Sequence, residues 1–227
     1  MSSEKIRMHP SSEMLLNHAM GNTTEVESLI ILGHVAYCPE CKAELAKYES
    51  IGGTYLNNND TVDVSDGLLD KVLQKIQNVE QVANESNFTD YKINSSLLDE
   101  PIRIPSFISA YLKNKGNTST WNTTLNNVRY TNLDLSDSTI TGKFLEIPHG
   151  RSMPRHGHEG SEATLVLHGG YSDERGSYHK GDLIIANDSE VHSPVSSSKT
   201  GCLCLVIYSG SLRFKGILGS LLNLSKF

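Results

Sequence analysis

One short segment of the chain carries a histidine and two cysteines at a spacing typical of metal ligands. His34, Cys38 and Cys41 form the pattern H-x3-C-x2-C and use two of the four cysteines in the sequence. Residues four apart share one face of a helix, and a C-x2-C turn can direct both sulfurs to one tetrahedral centre. Imidazole and thiolate ligands select zinc, copper(I) or iron, and zinc is the commonest tetrahedral occupant. We therefore expect Zn²⁺ here.

This segment supplies only three of the four ligands that structural zinc normally has. The nearest candidates for the fourth are His9 and His18, and we favour His9, which precedes Pro10. Two alternatives to a zinc site stay open. One is a buried histidine beside two inert thiols, and the other is a C-x2-C redox pair. A redox pair is expected after a strand in a βαβ pattern, whereas this segment follows an apolar helix.

A second cluster lies more than a hundred residues further along the chain. Its residues follow the order G-x5-H-x-H-x3-E-x6-G, and they are Gly150, His156, His158, Glu162 and Gly169. Two histidines separated by one residue point to the same side of an extended strand, and the glutamate can return to that side on the next strand. The spacing therefore predicts a second metal site.

This spacing resembles the first cupin motif, and the resemblance implies that His192 supplies the last ligand, because Gly181-x5-Asn187-x-Ser189-x2-His192 stands where the second cupin motif is expected. Three histidines and one carboxylate would hold Zn²⁺, Mn²⁺, Fe²⁺ or Ni²⁺, with room for water or a small ligand. The alternative is a set of surface histidines in a glycine-rich hairpin.

The elements that position the first cluster are predicted to be three short helices. The first spans residues 12–20, and the second and third meet at the cysteine pair, with His34 and Cys38 on the inward, apolar stripe. Because a helical module of this size can bury little apolar surface, we expect it to need a structural metal. The boundaries are indicated by caps and breakers at Ser11 and Ser12, Gly21, Thr24 with Glu27, Pro39, and Gly52 with Gly53.

A polar stretch at 57–60 is followed by a second apolar stripe, which predicts an amphipathic helix of about fifteen residues. Its apolar face either packs onto its own domain or docks on a partner in the helix-in-groove mode, and both uses stay open. The residues of this face are Leu68, Leu69, Val72, Leu73 and Ile76.

The pattern changes to short β-type runs separated by glycines from Trp121 onward, which predicts an all-β sandwich or barrel. Residues 80–118 are rich in Asn, Ser and Asp and have no sustained period, so we interpret them as an irregular connection between two separate cores. We predict a multi-domain α + β chain, with a helical domain over 1–85, a linker over 86–118 and an all-β domain over 119–227.

Cys202 and Cys204 alternate onto one face of a predicted strand. We interpret them as small buried hydrophobic residues, with a redox-sensing pair as the alternative.

Composition restricts the class of protein. A net charge of −6 and a pI near 5.8, with scattered lysines and arginines, disfavour direct binding of nucleic acid. Four cysteines in two close pairs are a poor disulfide framework and suit a reducing compartment. The sequence shows neither a signal-peptide pattern nor an apolar run long enough to span a membrane. We therefore expect a cytoplasmic protein without a membrane partner.

Taken together, these motifs resemble those of the ChrR-type zinc-binding anti-sigma factors, and the resemblance covers most of the chain. The second cluster resembles the first cupin motif in full, whereas Asn187 and Ser189 stand where cupins commonly carry Pro and Gly. The helical part of the resemblance rests on Met8-His9-Pro10-Ser11, Leu15-Leu16-Asn17-His18-Ala19-Met20-Gly21, the segment from His34 to Cys41, and Ile51-Gly52-Gly53.

The resemblance implies a function as well as a fold. It implies zinc ligands at His9, His34, Cys38 and Cys41, and a C-terminal cupin, a jelly-roll barrel. It also implies that the helical domain binds and inhibits a group IV (ECF-type) sigma factor, and that the cupin senses a signal such as reactive oxygen or a peroxide. We predict no enzymatic activity. The alternatives are a metal-dependent cupin enzyme, such as a dioxygenase, and a small-ligand or metal-binding module.

Overall fold

A computed structural model describes residues 5–77, 79, 87–91, 101–114, 121–124, 126–135 and 139–214. The chain begins with three helices whose caps agree with the sequence. The Ser11 hydroxyl accepts from the backbone N–H of Met14, and Thr24 and Glu27 form a reciprocal capping box. Within the described residues, no helix is both long and apolar enough to cross a membrane. The helices are α1 (Ser12–Ala19), α2 (Glu25–Tyr37) and α3 (Pro39–Asn57).

The end predicted for α3 is wrong. The helix continues through Gly52 and Gly53 to Asn57, and Asn58 caps it. Glycine lowers helix stability by about 1 kcal/mol relative to alanine, but it does not force the chain out of helical geometry. Neither glycine adopts a positive φ, so neither acts as a left-handed terminator here.

A fourth helix, α4 (Leu68–Gln77), forms where the second apolar stripe predicts it, but it has ten residues and is shorter than predicted. None of its residues is buried, so its apolar face does not pack against the described part of the chain.

Part of the predicted linker is folded. An antiparallel hairpin of β1 (Phe88–Tyr91) and β2 (Ile102–Pro105) is followed by α5 (Ser106–Asn114). Ile104 and Ile108 are fully buried, so this segment contributes to the core. The predicted domain boundaries at 85 and 118 fall on residues outside the described part of the chain.

The β domain consists of two antiparallel sheets, as the cupin prediction requires. The larger sheet has the order β11-β7-β12-β5-β4-β3, with β8 and β9 also paired to β7, and the smaller sheet has the order β10-β6-β13. The strands are β3 (Asn122–Thr123), β4 (Arg129–Asn132), β5 (Ile140–Ile147), β6 (His156–His158), β7 (Glu162–Asp173), β8 (Gly176–His179), β9 (Leu183–Ala186), β10 (Val191–His192), β11 (Val195–Ser196), β12 (Cys202–Ser209) and β13 (Leu212–Phe214).

The helical region and the β domain share one apolar cluster, so the prediction of two separate cores is wrong. Ile30 and Ile31 of α2 belong to the same cluster as Leu165 of β7 and Leu205 of β12. Gly33 lies at this contact, and a Cβ there would lie 2.6 Å from Leu165 Cδ2, so the leucine side chain would have to shift. The helices that carry the first predicted metal site therefore rest directly on the cupin sheet.

Candidate metal centres

The first cluster is assembled where α2 and α3 meet. His34 lies in the last turn of α2, Cys38 caps the start of α3, and Cys41 lies in its first turn. His9 reaches the same point from the segment that precedes α1. One ligand atom from each of these four residues lies within 4.8 Å of the others. His18 is placed elsewhere, with its Nδ1 3.2 Å from the hydroxyl of Thr23.

The distances in this first cluster fit a single tetrahedral ion. His9 Nδ1 lies 3.5 Å from Cys38 Sγ and 3.4 Å from Cys41 Sγ, and His34 Nε2 lies 3.3 Å from Cys41 Sγ. A tetrahedron with zinc–sulfur bonds of about 2.3 Å and zinc–nitrogen bonds of about 2.0–2.1 Å has nitrogen–sulfur edges of about 3.6 Å. The donor set and its geometry therefore suit zinc.

Hydrogen bonding fixes His34 in the form that binds a metal. Its Nδ1 lies 2.8 Å from the carbonyl oxygen of Gly181, which can only accept, so Nδ1 carries the hydrogen. The lone pair on Nε2 then faces the cluster. Burial lowers the pKa of His34 to about 4, so the ring is neutral at physiological pH.

The thiol of Cys41 needs a cation to ionise. Burial and the hydrogen bond with Cys38 raise the pKa of Cys41 to about 12. A thiol in such surroundings keeps its proton unless a metal replaces it, because a coordinated thiol is deprotonated outright. Both cysteines are buried, and Cys41 is thus poorly suited to the reactive thiolate chemistry of a redox C-x2-C motif.

The second cluster lies between the two sheets of the cupin. His156 and His158 come from β6, and His192 lies on the neighbouring strand β10, directly opposite His156. Glu162 begins β7, after Gly160 turns the chain at φ +136°. All four side chains are buried, and their ligand atoms lie within 4.8 Å of one another.

The histidine nitrogens of this second cluster point at a common centre. His192 Nε2 lies 3.1 Å from His156 Nε2 and 3.2 Å from His158 Nε2. The Nδ1 atoms of His156 and His192 contact the Pro154 carbonyl at 2.7 Å and the Asp173 carboxylate at 3.2 Å, so both carry hydrogens. Two bare Nε2 lone pairs that face each other at 3.1 Å repel unless a cation lies between them.

Electrostatics favours a metal over a proton as that cation. Burial lowers the pKa of His156 to about 3 and that of His158 to about 4, so neither ring protonates near neutral pH. Burial raises the pKa of Glu162 to about 7, because a carboxylate in this pocket lacks solvation. Neutral imidazoles and a carboxylate that gains from a nearby positive charge are the donor set of a divalent metal site.

Asp173 contacts a histidine of this second cluster, and its role was not predicted from the sequence. Its carboxylate accepts from His192 and is held by the backbone N–H of Arg175 at 2.9 Å and the hydroxyl of Tyr178 at 3.1 Å. A carboxylate of this kind orients a ligating histidine and increases its basicity. No local pattern marks Asp173, because its partner lies 19 residues away on another strand.

We expect Asp173→Ala to weaken metal binding by the cupin about 10- to 100-fold, since His192 would lose the group that orients it. Competition with a chromogenic chelator measures this affinity. Asp188→Ala removes a carboxylate from an exposed turn and serves as the matched control. Equal affinities for the two variants would contradict the role given to Asp173.

The other cysteine pair is buried in the cupin core. Cys202 and Cys204 lie on β12 with their sulfurs 3.3 Å apart. The hydrogen bond with Cys202 and burial both raise the pKa of Cys204, so its thiol stays protonated. These surroundings agree with the interpretation as small buried residues, and a redox-sensing pair stays the alternative.

Comparison with known proteins agrees with this two-part organisation. Residues 114–211 match the family described as the ChrR cupin-like domain. Over 218 residues the chain is 30% identical to the anti-sigma-E factor ChrR of Cereibacter sphaeroides, which covers 96% of this chain and 97% of that protein. The crystal structure of Rhodobacter sphaeroides SigE in complex with the anti-sigma ChrR contains a chain that aligns with a TM-score of 0.69 and 27% identity. That alignment covers 90% of this chain and 100% of the other. The chain therefore belongs to the ChrR family of anti-sigma factors.

Proposed function

We propose that this protein binds and inhibits a group IV (ECF-type) sigma factor through its helical domain. The observation that carries the proposal is the uncovered apolar face of α4, which has no partner within the described chain. The relative that has been crystallised with SigE supports the class of partner. The exposed fractions of the residues on this face are 41% for Leu68, 69% for Leu69, 47% for Val72, 44% for Leu73 and 48% for Ile76.

The amphipathic form of α4 supports a protein partner. Its other face carries Asp70, Lys71 and Lys75, so the helix is built to lie with one side against a surface and the other in water. Full burial of a valine, leucine or isoleucine side chain contributes about 1.5–3 kcal/mol, so the face offers a large driving force for docking. The last turns of α3 add Ile51, Tyr55 and Leu56, which are also exposed.

We propose that His9, His34, Cys38 and Cys41 bind a structural Zn²⁺. The nitrogen–sulfur distances and the neutral state of His34 support this assignment. The ion would join the segment before α1 to the junction of α2 and α3, and so hold the three helices in one arrangement.

We propose that the cupin acts as a sensor and that His156, His158, Glu162 and His192 hold a divalent ion, which is Zn²⁺, Mn²⁺, Fe²⁺ or Ni²⁺. The signal in this proposal is reactive oxygen or a peroxide that changes the site and relieves inhibition. The cavity beside the site has a volume of about 40 Å³, which leaves room for water or a small ligand next to His156 and Glu162.

We further propose a cytoplasmic location, because a sigma factor acts on RNA polymerase there and the four cysteines are free thiols. The proposed division keeps a helical domain over 1–85 and a cupin over 119–227. Residues between them include the β1–β2 hairpin and α5, which pack into the shared core.

Substitution on the two faces of α4 tests the proposed partner surface. We expect Val72→Asp to lower the affinity for the sigma factor at least about tenfold, because a charge would be buried in an apolar contact. Gln74→Asp introduces the same charge on the polar face and should change the affinity less than about threefold. Calorimetric titration of the purified full chain measures both constants. Equal losses for the two variants would exclude the apolar face of α4 as the contact.

A further inference from the structure

A buried carboxylate of the cupin binds the segment that carries the first zinc ligand. Asp182 is 0% exposed and lies in the turn between β8 and β9 (residues 179–182), which we name the 179–182 turn. Its Oδ1 accepts from the backbone N–H groups of Arg7 at 2.7 Å and Met8 at 3.1 Å. Its Oδ2 accepts from the backbone N–H of His179 at 2.8 Å. One side chain thus joins residues 7 and 8 to the cupin, immediately before His9.

Two further contacts hold the same segment. The backbone N–H of Leu183 donates to the carbonyl of Met8 at 3.0 Å. Ile6 packs against Gly181, where a Cβ would lie 2.8 Å from Ile6 Cδ1 and where φ is +94°. A Cβ at Gly181 would therefore force the Ile6 side chain to shift, so the turn and the segment are closely fitted.

The 179–182 turn also contacts the second histidine of the zinc cluster. The carbonyl of Gly181 accepts from His34 Nδ1 at 2.8 Å, which orients the ring and leaves Nε2 for the metal. The two histidines of the first cluster are thus positioned by one turn of the cupin, while the two cysteines are positioned by the junction of the helices.

We propose that the cupin completes the N-terminal zinc site, with Asp182 as the positioning residue for His9 and Gly181 for His34. This inference rests on the proposed zinc binding and deepens the proposed regulation. The chain is then one unit in which the sensor domain supplies the outer shell of the zinc site. Without that shell, the segment immediately before His9 would lose its hydrogen bonds to the cupin.

The proposal gives the two metal clusters a physical connection. The 179–182 turn is tied to β7, because Gly181 donates to the carbonyl of Val166 at 2.8 Å and Val166 donates to the carbonyl of Asp182 at 3.0 Å. β7 begins at Glu162, a residue of the second cluster. Val166, which holds the 179–182 turn, thus lies on the same strand as Glu162 and four residues after it.

The test measures how fast the N-terminal site of the full-length protein releases its metal. Co²⁺ replaces zinc, because thiolate-to-cobalt charge-transfer absorption reports only the site that contains cysteines. The rate at which this absorption disappears in excess chelator gives the release rate. We expect Asp182→Ala to increase the rate at least about tenfold, in the range typical for loss of an outer-shell partner. Asp188→Ala, in an exposed turn of the same domain, should stay within about twofold of the original protein.

A second variant distinguishes the loss of the Asp182 hydrogen bonds from misfolding of the cupin. Deletion of residues 2–7 removes the Arg7 donor and Ile6 but leaves Asp182 and His9 in the chain, and it should increase the release rate similarly. An unchanged rate in both variants, with the β-sheet circular dichroism retained, would overturn this inference alone. If the original protein shows no thiolate-to-cobalt absorption, the proposed zinc site fails as well, so the two failures are distinguishable.

Discussion

Cys38→Ala is expected to remove the N-terminal zinc and to lower the affinity for the sigma factor at least about 100-fold. Zinc binding contributes about 10–16 kcal/mol to the folding of zinc-finger peptides, and three ligands would retain only part of such a contribution. Because α2 also packs on β7 and β12, we expect its helix to persist while α1 and α3 lose their fixed arrangement. Elemental analysis of the full chain, far-UV circular dichroism and sigma-factor titration measure the three effects.

Cys202→Ala is the matched control for this variant, since it removes a buried thiol that lies outside the zinc cluster. Its zinc content and its affinity for the sigma factor should match those of the original protein. A Cys38→Ala protein with full zinc content and unchanged affinity would disprove the structural role of the metal.

His156→Ala and Glu162→Ala are expected to give the opposite phenotype, with binding of the sigma factor retained and its release by the signal abolished. The cupin strands have an apolar core of their own that includes Val166, Tyr171 and Val206, so the β fold should survive the loss of a ligand. Metal affinity should fall strongly, because a carboxylate or an imidazole is removed from a four-residue site.

A reporter gene driven by the sigma factor, read with and without singlet oxygen or a peroxide, measures this loss of response. His168→Ala is the control, because this histidine lies on the same strand as Glu162 but outside the cluster. A full response from a Glu162→Ala protein whose cupin is shown to be metal-free would make the site dispensable, and sensing would then pass to Cys202 and Cys204.

The sequence alone predicts the structural features that depend on residues close together in the chain. The capping box of Thr24 and Glu27 and the start of α3 at Pro39 follow from residues within one turn of each other. Most residues of the two metal clusters follow from the short spacings H-x3-C-x2-C and H-x-H-x3-E, whereas His9 and His192 come from more distant segments. The end of α3 was mispredicted because glycine only weakens a helix. Contacts with the rest of the chain decide whether the helix continues past Gly52 and Gly53.

The contacts between the domains were not predictable from spacing. Ile104 and Ile108 lie in a polar, irregular-looking stretch, and their burial depends on a sheet formed by distant residues. Asp182 binds Arg7 across 175 positions, and Asp173 binds His192 across 19. Single carboxylates at such separations carry no local signal, so only the folded chain reveals which histidines they support.

Transcription in vitro tests the central proposal most directly. The purified full chain is added to RNA polymerase programmed with each group IV sigma factor of the same genome, and transcript yield is measured against the ratio of chain to sigma factor. We predict that one such sigma factor is inhibited almost completely at a ratio near one to one, and that the Val72→Asp variant requires a large excess. Undiminished transcription with every group IV sigma factor, at concentrations where the chain is folded and loaded with zinc, would contradict the proposed function.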